Sequence, residues 1–208
     1  MEELEVWKNR ALKAEDEAAR LRAAVVAARP KLPQPAPVTL DAKTTALLVL
    51  DLSNRCQDPA QVCSLLVPRV KDFLQKARAA KVFTLYTISA NEKGTPHGKV
   101  WDGFEALPDE PVLWPDAFDK FLGGELSPLL QERGIKTVII TGASTNNCVL
   151  FTATSAAKMY KYKVVIPLDG VISKGSYENE YPIYQLSIMP SGASALCSFT
   201  TLEGISFQ

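Results

Sequence analysis

A three-layer α/β/α domain on a mainly parallel sheet, preceded by one long helix, is the fold class this sequence predicts. Three observations predict it. Short apolar runs at Thr45–Leu50, Val82–Thr87, Thr137–Ile140 and Lys163–Pro167 alternate with helical stretches. Such runs, unbroken rather than alternating with polar residues, imply strands covered on both faces. Asp51 and the turn at Gly142 each sit just past a strand, where open parallel sheets bind their ligands. Glu2–Ala28 contains neither Pro nor Gly.

In chain order, Leu4, Trp7, Ala11, Ala14, Ala18, Leu21, Val25 and Ala28 recur three and four apart. That is a heptad stripe. A helix docked on its own domain would serve; a two-stranded coiled coil fits the regular spacing better, weakened by its central alanines. Arg29–Pro37 carries four prolines and reads as a stiff extended linker, so the expected units are residues 1–37 and a domain over 38–208. Thr45–Leu50 is the first strand. Val67–Ala80 has helical periodicity, with Pro68 tolerated in its first turn. Val82–Thr87 follows as a strand. The long irregular stretch from Ile88 to Asp116, rich in Gly, Pro and acids, is expected to shape a site. Ser127–Arg133 is a short helix closed by Gly134. Thr137–Ile140, Lys163–Pro167 and Ala195–Thr200 complete the sheet, and Asn179–Gly192 is assigned to a helix and loop at a subunit interface.

Composition excludes several classes of function. The 208 residues carry 23 basic and 23 acidic side chains, which gives no electrostatic case for nucleic acid or an anionic membrane. No apolar run approaches a membrane span, and no secretory signal is read at the start. Four cysteines, Cys56, Cys63, Cys148 and Cys197, are too few for a disulfide framework and lack zinc-site spacing. A reducing, cytoplasmic setting is expected, with no metal and no cofactor. The single histidine, His97, lies in a Gly/Pro-containing loop and is read as non-catalytic.

Chemistry concentrates in Thr137-Val-Ile-Ile-Thr-Gly-Ala-Ser-Thr-Asn-Asn-Cys148 and the alanine-containing run after it. This reads as a strand, a small-residue turn, and a helix opening near Cys148. A thiol at a helix N-terminus faces unpaired N–H groups and the positive end of the dipole, both of which favour the thiolate. The turn can aim backbone N–H groups at one point, as an oxyanion hole requires. Buried, inert packing is the common fate of a free cysteine; its placement here favours a nucleophile.

At these residues the chain resembles the isochorismatase-like cysteine hydrolases, which include nicotinamidases and N-carbamoyl amidases. The likeness runs from about Thr44 to Ser173 and is strongest over Leu129–Val149, where a Gly-x-x-Thr-x-x-Cys-Val pattern follows a helix, a glycine and a strand. Leu47–Asp51, Phe121–Leu126 and Lys163–Ser173 match neighbouring family segments. The resemblance implies Cys148 as nucleophile, Asp51 as general base, an oxyanion hole from the N–H groups of Ser144 and Cys148, and a cis peptide between Ala143 and Ser144. Trp101, Phe104, Trp114 and Phe118 are candidates for the pocket wall, together with Asn147.

Three family features are not found where the resemblance puts them. The catalytic lysine falls near Pro115, where there is none; Lys120 or Lys99 would need a loop shift to enter. Ser53 and Cys56 stand where a Gln and a Phe are usual, and the metal-binding histidines of many nicotinamidases are missing. The expected function is hydrolysis of a small amide, ureido or related carbonyl substrate without a metal. The alternatives are a catalytically eroded scaffold on the same fold, and an isochorismatase-type vinyl-ether hydrolase, against which the retained cysteine speaks. The expected partners are a small-molecule substrate and other copies of the chain, through the N-terminal helix and the larger domain.

Overall fold

The computed structural model describes residues 2–27 and 31–208, and the side chains of the first stretch from Glu5 to Ala24. Ala28, the last position of the stripe, lies outside the described residues, as do Arg29 and Pro30. The chain divides into two compact units, residues 1–31 and 32–208. The first is a single helix, α1 (Glu2–Ala27). The second unit takes in most of the proline-rich segment expected to be a linker. The Ala36 N–H donates to Phe199 O and the Val38 N–H to Gly204 O.

In the second unit β1 (Val38–Leu40) leads into β2 (Thr45–Leu50), α2 (Val67–Ala79), β3 (Phe83–Thr87) and β4 (Val112–Leu113). Then come α3 (Leu126–Glu132), β5 (Thr137–Ala143), α4 (Leu150–Lys158), β6 (Lys163–Pro167) and β7 (Val171–Ile172). The chain finishes with α5 (Ser176–Ser187), β8 (Cys197–Thr200) and β9 (Ile205–Phe207). The main sheet runs β4-β3-β2-β5-β6-β8, every pairing parallel, with β7 beside the end of β5. β1 and β9 form a separate parallel pair.

β2 shows why its sequence is continuously apolar. All six of its residues are buried. Ala46, Leu48 and Leu50 join the core shared with α3, α4 and α5, while Leu47 and Val49 join the core over α2. Helices thus cover both faces, which makes the three layers. α5 packs Ile183 and Leu186 into its own domain's core.

The chain builds outward from β2 through β3 to β4, then returns to the opposite side of β2 with β5. β2 and β5 therefore flank the switch point of the sheet, where a crevice opens beyond the strand ends. Gly142 makes their close approach possible. It has φ of +135°, and a Cβ there would stand 2.1 Å from Leu50 O.

Candidate active site

Asp51 follows directly on β2 with φ of +55°, a left-handed conformation that a non-glycine residue adopts only when its surroundings hold it. The hold comes from β3: the Asp51 N–H donates to Thr87 O at 2.9 Å and Thr87 Oγ1 donates to Asp51 Oδ1 at 3.2 Å. Its second oxygen, Oδ2, accepts from Cys148 Sγ at 2.6 Å and lies 2.8 Å from Lys120 Nζ. All three side chains are buried.

Cys148 is delivered by the end of β5. The Ala143–Ser144 peptide is cis. Thr145–Val149 then forms one wide π-type turn that leads into α4, a form that recurs at functional sites. The turn is braced from α5. Asn179 Oδ1 accepts from Thr145 Oγ1 and from the Ser173 N–H, while its amide group donates to Ser173 O and Gly175 O.

Lys120 corrects the expectation of a missing lysine. Lys120–Gly123 is a 3-10 turn whose N-cap, Asp119, accepts from the Phe121 N–H. Asp119 also accepts from Ser155, and the Lys120 N–H donates to Thr152 Oγ1, so α4 fixes the turn from two sides. Successive side chains of a 3-10 turn point about 120° apart. Phe121 stacks on Tyr160, and Lys120 turns the other way to Asp51. Counting back along an extended chain misses this reversal.

The thiol is also not the thiolate that its helix position suggests. Burial, then the charge of Asp51, push the Cys148 thiol up to about 12, with Lys120 and the Ser144 N–H pulling the other way. Burial and the neighbouring carboxylate together outweigh Lys120 and the Ser144 N–H. The raised value agrees with the geometry, in which Cys148 Sγ donates to Asp51 Oδ2.

These groups form the floor of a cavity of about 870 Å³, whose walls include Arg55, Gln61, Cys63, Glu92, Asn146, Asn147, Ser144, Phe118 and Lys174. Phe118 is 60% exposed and stacks on Phe151. Three expected wall residues are elsewhere. Phe104 is buried between Tyr86 and Trp101 under the long segment, and Trp101 packs edge-on against it, both in the core over α2. Trp114 lines neighbouring grooves, with Lys93 Nζ 4.9 Å above its ring. Apolar area decided their fate: the Ile88–Asp116 segment needs an apolar underside to stay on the domain. His97 is exposed and outside the cavity wall.

Two 3-10 turns, Asn54–Gln57 and Val62–Leu65, carry Arg55 and Cys63 into the wall. Their approach lets Cys56 pair with Cys63 as a disulfide, with Cα atoms 5.2 Å apart. The cysteine count had predicted no disulfide, and with this pair it no longer argues for a reducing compartment. Arg55 pairs with Glu92 at 3.1 Å. Neither Arg55 nor Lys174 follows a spacing that sequence alone would single out. No cluster of three or more metal-ligating side chains occurs among the described residues, and none of their helices is long and apolar enough to cross a membrane.

Residues 45–196 match the model of the isochorismatase domain. The chain belongs to the isochorismatase family. It is 41% identical over 58 residues to an uncharacterized isochorismatase family protein, YaaI, of Bacillus subtilis, covering 28% of this chain and 32% of that protein. It is 25% identical to the ureidoacrylate amidohydrolase RutB of Caulobacter segnis, covering 56% of this chain and 67% of the relative. Among solved structures it is similar to the nicotinamidase SaPncA of Staphylococcus aureus, with a TM-score of 0.61, 26% identity, and coverage of 76% and 98% of the two chains.

Proposed function

We propose that this isochorismatase-family protein is a cysteine hydrolase that cleaves the C–N bond of a small amide or ureido compound. One observation carries the reading: Asp51 Oδ2 is shared by the Cys148 thiol at 2.6 Å and the Lys120 ammonium at 2.8 Å, at the floor of an open cavity. The similarity to a ureidoacrylate amidohydrolase and a nicotinamidase supports the C–N bond as target.

In this mechanism the sulfur attacks the substrate carbonyl carbon as its proton passes to Asp51. The carbonyl electrons move to oxygen, where the N–H groups of Ser144 and Cys148 would receive the charge. Collapse of the tetrahedral adduct breaks the C–N bond while Asp51 returns its proton to the departing nitrogen. A thioester remains on Cys148, and water activated by Asp51 clears it. Lys120 stays paired with Asp51 between steps. Asp51, Lys120 and Cys148 supply base, charge and nucleophile, so the scheme calls on no metal.

The eroded-scaffold alternative drew on an absent lysine and on the N-terminal helix and linker; the contact of Lys120 Nζ with Asp51 at 2.8 Å supports the hydrolase reading over it. Polar walls bearing Arg55, Gln61, Asn146 and Asn147 suit a small polar substrate with both donor and acceptor groups. The test is ammonia release from a panel of ureido acids and primary amides, with mass spectrometry of the quenched protein. Turnover abolished by Cys148→Ala, with a substrate-derived mass on Cys148 in the wild type, is expected. No turnover across the panel and no adduct on Cys148 would overturn the reading.

A further inference from the structure

α1 has no role in the chemistry above, yet its surface is highly ordered in sequence. Every described side chain from Glu5 to Ala24 is exposed except Ala18, which is half-buried. Trp7 and Leu21 are 68% and 61% exposed, and both belong to the apolar stripe. With Leu4, Ala11, Ala18 and Val25 at the first core position of each heptad, Trp7, Ala14 and Leu21 take the second. The residues flanking that seam are then charged. Glu3, Arg10 and Glu17 precede it on one side; Lys8, Glu15 and Arg22 follow it on the other.

In a parallel, in-register pair each residue before the seam faces the one five positions later on the neighbouring helix. The pairs are Glu3 with Lys8, Arg10 with Glu15, and Glu17 with Arg22. All three join opposite charges, and two-fold symmetry doubles each. Reversing one helix instead sets Glu15 near Glu15 of the other copy, and Lys8 near Arg22. The ion pair Asp16–Arg20, at 2.8 Å, lies on the outer face and leaves the flanking charges free to pair across the seam. We infer that the α1 helices of two copies of this chain associate as a parallel, in-register coiled coil, with the flanking charges setting orientation. The small core residues Ala11, Ala14 and Ala18 bury little area, so the charges matter more here than in a leucine-rich coil. This inference is independent of the catalytic reading.

The test uses the full-length chain. Ala11→Cys places a thiol at the seam, where a parallel pair brings position 11 beside its own copy and a fully overlapping antiparallel pair carries it nearly three turns away. Mild oxidation followed by peptide mass spectrometry should yield an 11–11 disulfide. Adding Glu17→Lys to that variant converts attraction to repulsion at two symmetry-related sites. The crosslinking midpoint should then shift to roughly tenfold higher protein concentration. Adding Arg22→Glu as well should restore it. No 11–11 crosslink, or one whose yield ignores Glu17→Lys, would overturn the inference.

Discussion

Replacing Lys120 by Met tests the reasoning about the site most directly. Lys120 and Asp51 are 2% and 9% exposed and their charged atoms are 2.8 Å apart. At an effective dielectric of about 20 their attraction is about 6 kcal/mol, largely offset by the cost of removing both ions from water. Met keeps the volume and removes the charge, which leaves a desolvated carboxylate with no cation. Breaking one side of a buried pair costs about 3–5 kcal/mol. With a urea slope of about 2 kcal/mol per molar, the midpoint should fall by about 2 M. Asp51 can escape part of this by binding a proton, but a protonated Asp51 cannot take the proton of Cys148. Turnover should therefore fall about 10²–10⁴-fold, the usual worth of a positioned base. Adding Asp51→Leu should recover much of the stability and none of the activity, because an apolar pair can replace a buried ionic one. Urea unfolding followed by tryptophan fluorescence and initial rates of ammonia release measure both arms. Lys120→Met with an unchanged midpoint and unchanged rate would refute the argument.

Cys148 alkylation by iodoacetamide should be slow at neutral pH and rise about tenfold per pH unit to beyond pH 10, since a thiol near 12 leaves about one molecule in 10⁵ ionised at pH 7. Asp51→Asn removes two of the influences that hold it up, so the thiolate absorbance near 240 nm should appear at lower pH while turnover falls. Gly142→Ala should abolish folding or cost about 3 kcal/mol or more, as its Cβ meets Leu50 O at 2.1 Å in a backbone conformation that disfavours a side chain; recovery of soluble protein and its urea midpoint decide this. Burial alone would raise the Glu110 carboxyl, but hydrogen bonds from Arg78, the Leu107 N–H and Tyr86 prevail and hold it below the ordinary 4.5. That stabilisation is present above the unfolded carboxylate pKa and lost as pH falls through the lower folded value. Glu110→Gln should therefore weaken the protein near neutral pH and flatten its loss of stability below about pH 4.5, as read from urea midpoints against pH. Reducing Cys56–Cys63 with a dithiol should raise KM more than it lowers kcat, because the loop it closes carries Gln61 and adjoins Arg55 rather than the floor groups; equal changes in both would contradict that division.

The central sheet was legible because each of its long strands pays no heed to alternation: Leu47–Leu50 and Val138–Ile140 are apolar at every position and buried on both faces. The two-residue strands β4 and β7 escaped notice, being too short to carry a period, and β1 and β9 because only their mutual pairing defines them. Within the site, Asp51 and Cys148 announced themselves by following strands that end at the switch point. Lys120 did not, since its direction depends on Asp119 capping a turn and on Phe121 choosing the core. Trp101 and Phe104 misled for the same reason in reverse: an aromatic in a long segment can line a site or anchor that segment, and only packing decides. The disulfide was hidden because Cys56 and Cys63 are brought together by two turns with no sequence signature of their own.

On the proposed mechanism, the raised thiol gives Lys120 a purpose. A thiolate beside the Asp51 carboxylate would place two negative charges within hydrogen-bond distance in a buried pocket, with one cation to balance them. The thiol form has one negative charge, on Asp51, facing the ammonium of Lys120. In the attack proposed above, the proton moves to Asp51 and the negative charge moves to the carbonyl oxygen. The count remains one anion and one cation. Lys120 thus balances the same net charge at rest and in the tetrahedral adduct, and the attack separates no new charge from water. A thiolate resting state would instead have required a second cation, and Arg55, a cation of the cavity wall, is already paired with Glu92. Adding a cation near Cys148 should therefore ionise the thiol without raising turnover, since it would stabilise the one state that the mechanism passes around.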